Sequence, residues 1–297
     1  MTTRQSTRHI LMIEPVDAGY NPETAETNDY QLDIHEPAEI VAAKYLAEFR
    51  GFRDALVEAG VFVTTVQGPK TSPDALFPNW FSTHDDGLVI YPMLTPNRRA
   101  ERLPALIQML TDRYDLKADM TVHENGGRAL ESTGSLVLDR VNNIAYCGLS
   151  ARSDEGLARD WCEKMGYEPV IFNTQDHRGK PVYHTDLVIW IGTDIAGICP
   201  GAIDENDRER VLASLKKHRE VVEFSNDQLK KFCGNALEVR GADDAFMFAV
   251  SQQAYDTMNA VQLAALQKYY TKIITAKIPT IETYGGGSAR CMLQELF

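Results

Sequence analysis

Residues 38–59, AEIVAAKYLAEFRGFRDALVEA, space their apolar side chains at the period of a helix lying on a core, and the pattern stops at Gly60. A β-rich run, Val61–Val66, follows. The same order returns four more times. RRAERLPALIQMLTDRYDL leads to MTVHE at Met120, and EGLARDWCEKMGY to PVIFN at Pro169. NDRERVLASLKKH leads to VVEFS at Val221, and SQQAYDTMNAVQLAALQKYY to KIITAKI near Ile273. Between these landmarks the pattern predicts further strands in GLVIYP (87–92), SLVLD (135–139), NNIAYCGL (142–149), DLVIWIG (186–192), ALEVRG (236–241) and DAFMFAV (244–250). Each unit reads as several short strands plus one helix, and five such units could close into a ring without open sheet edges. An open α/β sheet is the alternative on this pattern. No linker rich in Pro, Gly or Ser interrupts the chain, so one α/β domain over residues 1–297 is expected.

Composition narrows the function classes. With 44% hydrophobic and 24% charged residues over 297 positions, the chain is of ordinary globular type and long enough to bury a large core. Thirty Lys+Arg stand against 42 Asp+Glu, a net charge of −12 without a basic cluster, which argues against nucleic acid and anionic membranes as partners. Five widely spaced cysteines form no zinc-finger pattern or disulfide framework. The apolar run before Glu14 and Pro15 is too short for a signal segment, so a reduced, cytoplasmic setting is expected. Nothing calls for a metal or a cofactor. A small-molecule substrate is the expected partner, and a homo-oligomer is compatible with the chain.

The glycine-rich and polar segments recur about once per unit: FPNWFSTHDDG, GGRALESTGS, PVYHTD, FCGNALE and TYGGGSARCM. In a ring they would converge on one axis. Cys291 is the sharpest candidate, because Gly285–Gly287 before it allow close backbone approach and Arg290 beside it would favour the thiolate nucleophile. Such a nucleophile needs a proton carrier. His184 enters an apolar run two residues ahead of Asp186, a spacing that turns both side chains to one side of a strand. As a metal pair these two lack further ligands at recognisable spacing. His84 in the NWFSTHDDG loop could be structural or functional. Glu131 and Asp85, or its neighbour Asp86, could grip the N–H fork of a guanidinium. Arg98, Arg99, Arg152 and Arg240 could each meet a substrate carboxylate, with nothing to rank them.

Taken together, Asn79-Trp80-Phe81-Ser82-Thr83-His84-Asp85, Glu131 in LESTGS, His184-x-Asp186 and Gly285-Gly286-Gly287 before Arg290-Cys291 resemble the signature segments of the guanidino-group modifying enzymes. That superfamily includes arginine deiminases, dimethylarginine hydrolases and amidinotransferases, and its fold is the five-bladed α/β propeller, or pentein. The wider phrasing, including MIEPVDAGYNPETA and IPTIETYGGGSARCMLQELF, is similar to its citrulline-utilisation hydrolase branch. The resemblance implies Cys291 as nucleophile, His184 as general acid/base and Glu131 as the group that orients it. It implies Asp85, Asp186 and Asn79 as substrate-binding residues, and through it Tyr20 and Asn21 could line the site. Two departures stand out: His84 replaces an Arg, and Glu131-Ser132-Thr133-Gly134-Ser135 replaces Glu-Gly-Gly-Asp, so an acid facing the substrate is expected to be missing. That favours a neutral ureido group, or a differently held guanidine. The expected activity is hydrolysis of a C–N bond of a guanidino or ureido amino acid through a covalent Cys intermediate. An amidinotransferase passing the group to an amine is the rival, and a non-catalytic binding module the outlying one.

Overall fold

The computed structural model describes residues 4–297. They build five separate three-stranded sheets of mixed direction. The first sheet pairs β1 (His9–Glu14) in parallel with β2 (Phe62–Gln67) and antiparallel with β15 (Gln294–Glu295), so both ends of the chain meet in it. The other four share one plan: an antiparallel hairpin, one or more helices, then a strand parallel to the second hairpin strand. They are β3 (Phe81–His84), β4 (Gly87–Ile90) and β5 (Leu116–Asp119); β6 (Val137–Asp139), β7 (Ile144–Leu149) and β8 (Glu168–Asn173). The last two are β9 (Ile189–Ile191), β10 (Ile195–Ile198) and β11 (Glu220–Glu223); then β12 (Leu237–Arg240), β13 (Phe246–Ser251) and β14 (Lys272–Ala276).

The middle strands β1, β4, β7, β10 and β13 are buried on both faces along most of their length and read as continuous apolar runs. Helices cover the sheets from outside. The Ala38–Glu58 helix buries Val41, Tyr45, Phe49, Phe52 and Leu56, one stripe at helical period, against β1 and β14. No helix among the described residues is long and apolar enough to cross a membrane. Inward, the first strands touch across sheets, β6 with β9, β9 with β12, and β15 with β3. Residues of β6, β9, β12 and β15 line one small central cavity of about 30 Å³ with Gln5, Arg140 and Arg290.

Several expected elements differ. MTVHE is no strand: β5 ends at Asp119, whose side chain caps Thr121, and a 3-10 helix follows over Thr121–Gly126. The second and fifth helices are each broken, into Pro96–Arg99 and Pro104–Thr111, and into Gln252–Thr257 and Ala260–Tyr269. Pro104 and the capping box at Asn259 start new helices there. FPNWFSTHDD, read as a loop, contains β3, because Ser82, Thr83 and His84 satisfy one another and their neighbours when buried.

Candidate active site

Cys291 stands in the one-turn segment Arg290–Met292, just ahead of β15. Its N–H donates to Asn235 Oδ1 at 3.2 Å, and Asn235 Nδ2 lies 3.1 Å from Sγ. Asp186 Oδ2 lies 3.5 Å from Sγ. Burial pushes the Cys291 thiol up and the neighbouring Asp186 adds to it, which favours the neutral thiol. Arg290 does not provide the activation expected of it. Its guanidinium donates to Leu293 O at 2.6 Å and Glu295 Oε2 at 3.0 Å, facing the central cavity.

The three glycines are tightly packed, and Gly285 and Gly287 also line the pocket that holds Cys291 and His184, as their place before the cysteine led one to expect. A Cβ on Gly285 would come 2.8 Å from the Phe77 ring, and Gly286, at φ 60°, ends the Pro279–Gly285 helix in the left-handed region. Their carbonyls are taken as well: Asn28 Nδ2 donates to Gly285 O and Gly286 O, and the Tyr183 hydroxyl to Gly286 O.

His184 is an extended residue that opens the 3-10 turn Thr185–Leu187. Strand alternation is therefore not what brings it together with Asp186; the turn does. Its Nε2 lies 2.9 Å from Glu131 Oε2, and Nδ1 has no partner among the described residues. Glu131 is fully buried. Burial alone would raise its pKa, but Arg152, His184 and Arg98 more than offset this and hold it well below the usual carboxylate range. Leu94 N–H donates to its other oxygen at 3.1 Å. Gly134 is the residue that makes room for the imidazole, since a Cβ there would stand 2.5 Å from His184 Nδ1.

Cys291 and His184 line one narrow inner cavity with Asn28, Asp74, Phe77, Asn79, Arg98, Arg152 and Tyr183. A wider outer cavity of about 170 Å³ shares Arg152 and Tyr183 with it. Asn79 is thus where it was expected. Asp85 is not: with Asp86 it forms the exposed tip of the β3–β4 hairpin, lining surface cavities beside Arg4 and Phe297. The hairpin turn explains this, because a buried charge there would face Leu88 and its apolar neighbours without a partner. His84 is structural, bound to Ser82 Oγ at 2.9 Å and Arg140 Nη1 at 3.2 Å. Tyr20 and Asn21 do not line the inner cavity, although Asn21 holds Asp74.

An acid that sequence reasoning did not single out, Asp74, lines the same inner cavity. Its Oδ2 accepts from Asn21 Nδ2 at 2.8 Å and Thr24 Oγ1 at 2.7 Å; its Oδ1 is buried without a partner. Asp186 Oδ1 is likewise buried without a partner among the described residues, but Asp186 lines the central cavity and not the inner one, reaching the site through its contact with the Cys291 sulfur. Burial raises the Asp186 pKa, with His184 and Arg290 opposing. Arg98 is consumed by Glu101 at 2.9 Å and by Phe77 O, whereas Arg152 reaches both cavities while held by Thr27 Oγ1 at 3.0 Å and Thr24 O at 2.9 Å.

Solved structures share this fold. The substrate-bound N-terminal domain of ArgZ, an arginine dihydrolase from the ornithine–ammonia cycle in cyanobacteria, is 16% identical at TM-score 0.75, with 97% of each chain covered. Unliganded AgrE is 16% identical at TM-score 0.78. A dimethylarginine dimethylaminohydrolase bearing an S-methyl-L-thiocitrulline adduct is 15% identical at TM-score 0.68, covering 97% of this chain and 99% of that one. The chain spans 40% of full-length ArgZ and 39% of AgrE. No curated protein matches it by sequence.

The likeness to these structures is one of fold: five small mixed sheets in this order. The chain belongs to the family described as N,N dimethylarginine dimethylhydrolase, eukaryotic, whose model matches residues 14–297.

Proposed function

We propose that this chain is a cysteine-dependent hydrolase attacking the central carbon of the guanidino group of an arginine-type amino acid. One observation carries the reading: beside a buried cysteine, Asp74 Oδ1 and Asp186 Oδ1 are buried carboxylate oxygens without a hydrogen-bond donor. Such atoms are costly unless a ligand satisfies them, and a guanidinium brings five N–H donors and the opposite charge. The five sheets are then the blades of a propeller, the site lying at one end of its axis.

In the proposed mechanism, the cation held by Asp74 and Asp186 favours the Cys291 thiolate that burial disfavours. Sulfur adds to the guanidino carbon and a C–N bond breaks. The leaving amine takes its proton from His184, whose ring Glu131 holds in place at 2.9 Å. An S-linked amidino intermediate remains. Water, giving a proton to His184, adds to the same carbon, and the C–S bond breaks to release a ureido product and the thiol. Arg152, at the junction of the two cavities, meets the substrate's carboxylate.

Asn79 favours a second reading. Its carboxamide offers a donor that a ureido oxygen can accept, which keeps the citrulline-utilisation branch as a substrate alternative. Mass spectrometry of products from arginine, citrulline, agmatine and methylated arginines decides between them. Citrulline or ornithine from arginine or a methylarginine supports the first reading. Ornithine from citrulline alone supports the second. Turnover retained in Cys291→Ala overturns both.

A further inference from the structure

The Phe232–Asn235 turn ahead of β12 is held to one shape. Phe232 stands at φ 62°, a left-handed conformation that is strained for a bulky side chain, and Asn235 N–H donates to Phe232 O at 2.9 Å. A Cβ on Gly234 would fall 1.8 Å from Leu187 O, so this backbone lies directly on the Thr185–Leu187 turn that carries Asp186. Asn235 is completely buried as a result. Its Oδ1 accepts Cys291 N–H at 3.2 Å, and its Nδ2 lies 3.1 Å from Cys291 Sγ and 3.4 Å from Asp186 O. Arg290 N–H returns to Asn235 O at 3.4 Å. One side chain thus joins its own turn to the cysteine segment and to the Asp186 turn, and the mechanism above gives it no part.

The carboxamide can face the cysteine in one orientation. A backbone N–H only donates, so the atom opposite Cys291 N–H has to be the oxygen, and the amide nitrogen then faces the sulfur as a donor. A thiol can meet that donor only by turning its proton away, and Asp186 Oδ2, at 3.5 Å, lies there to accept it. A thiolate accepts the same bond more strongly, because a hydrogen bond to an ionised acceptor is about twice as strong as a neutral one. The donor therefore favours the anion. The other titratable and charged groups around the sulfur are Asp186, His184 and Tyr183 on one side and Asp74, Arg98 and Arg152 across the inner cavity, while Arg290 is turned to Leu293 O and Glu295. Among the described residues, no other N–H bonds to the sulfur.

We infer that Asn235 is a further catalytic residue: its Nδ2 donates to the Cys291 sulfur and stabilises the attacking thiolate, while its Oδ1 holds the cysteine backbone in place. This rests on Cys291 being the reactive thiol, but its test needs no substrate. Iodoacetamide alkylation of Cys291 across neutral and alkaline pH is followed by peptide mass spectrometry in the wild type, Asn235→Ala and Asn235→Asp, alongside kcat and KM where a substrate turns over. Asn235→Ala removes the donor without adding charge. Asn235→Asp keeps an oxygen for Cys291 N–H, and so the tether, but sets a second oxygen where the donor stood. Below the titration midpoint Asn235→Ala should alkylate about ten-fold more slowly, a displacement of about one pH unit, and Asn235→Asp more slowly still. Where a substrate turns over, kcat should fall with little change in KM. A residue that only tethers the loop predicts the opposite pattern, Asn235→Asp alkylating like wild type and Asn235→Ala faster. If one variant does not fold, the other carries the same readout. Alkylation within about two-fold of wild type, or faster, overturns the inference, whether or not kcat falls, and leaves Cys291 as the reactive thiol. Slowed alkylation together with no turnover of any guanidino or ureido substrate upholds it and counts against the proposed reaction instead.

Discussion

Gly134→Ala is a small perturbation with a large expected effect. The added methyl would stand 2.5 Å from His184 Nδ1, 2.6 Å from Cε1 and 2.9 Å from Cγ, against a whole face of the ring. Ordinary contact begins about 1 Å further out, so the ring has to retreat by about that much. The Nε2–Oε2 bond to Glu131, at 2.9 Å, does not survive such a displacement in most directions. A proton carrier misplaced by about 1 Å costs on the order of 100-fold in rate. The expected outcome is kcat lowered about 100-fold with KM changed by less than about three-fold, because the groups proposed to hold the substrate are not on that ring. Overpacking should also cost about 1–3 kcal/mol of stability, which urea unfolding measures separately. Steady-state kinetics with the wild type's best substrate, beside Cys291 alkylation as a control for the nucleophile, make the test. A folded Gly134→Ala enzyme with kcat within about three-fold of wild type would refute the placement of His184 as proton carrier.

Further outcomes follow from the same geometry. Cys291→Ser should leave the unfolding midpoint within a few degrees of wild type and abolish turnover; residual activity above 1% would be incompatible with a covalent route. Asp74→Asn should raise KM for a cationic guanidino substrate at least ten-fold while sparing a neutral ureido one, and equal effects on both would remove its charge from the argument. Because burial and Asp186 raise the Cys291 thiol, kcat/KM should climb with pH through neutrality and beyond; a profile falling across that range contradicts the assignment. Glu131 is depressed in the fold, so its stabilisation is present above the ordinary glutamate range and lost as pH falls towards its folded value. Glu131→Gln should lose this acid-sensitive term and about 3 kcal/mol by stranding Arg98 and Arg152, as read by urea melts at several pH values.

What could be read beforehand was what local chemistry writes along the chain. The Ala38–Glu58 helix announces itself through Val41, Tyr45, Phe49, Phe52 and Leu56, and the once-per-unit recurrence of polar, glycine-rich turns points to where the site gathers. Cys291, His184 and Asn79 do meet at one cavity, Glu131 holds His184 from behind, and Asp186 reaches the sulfur. Other features depend on contacts remote in sequence. β3 is rich in polar atoms and looks like a loop until Thr83 Oγ1 meets Glu295 O. Asp85 matches a motif, but the hairpin's own turn needs it outside. Asp74 sits in an unremarkable PDAL turn, and only Asn21 and Thr24, some 50 residues away, turn it inward. The same holds for Asn235, which lies in a segment marked as polar but gains its meaning from Cys291.

β15 pairs with β1, and Cys291 stands in the turn just ahead of that pairing. Ile10 and Glu295, far apart in sequence, thus lie side by side in the first sheet. A contact of such separation carries a large loop-closure cost and gains little from local structure. The thiol reaches Asn235 and Asp186 through the least local pairing of the fold, so loosening that pairing disarms the cysteine before it unravels the helices outside.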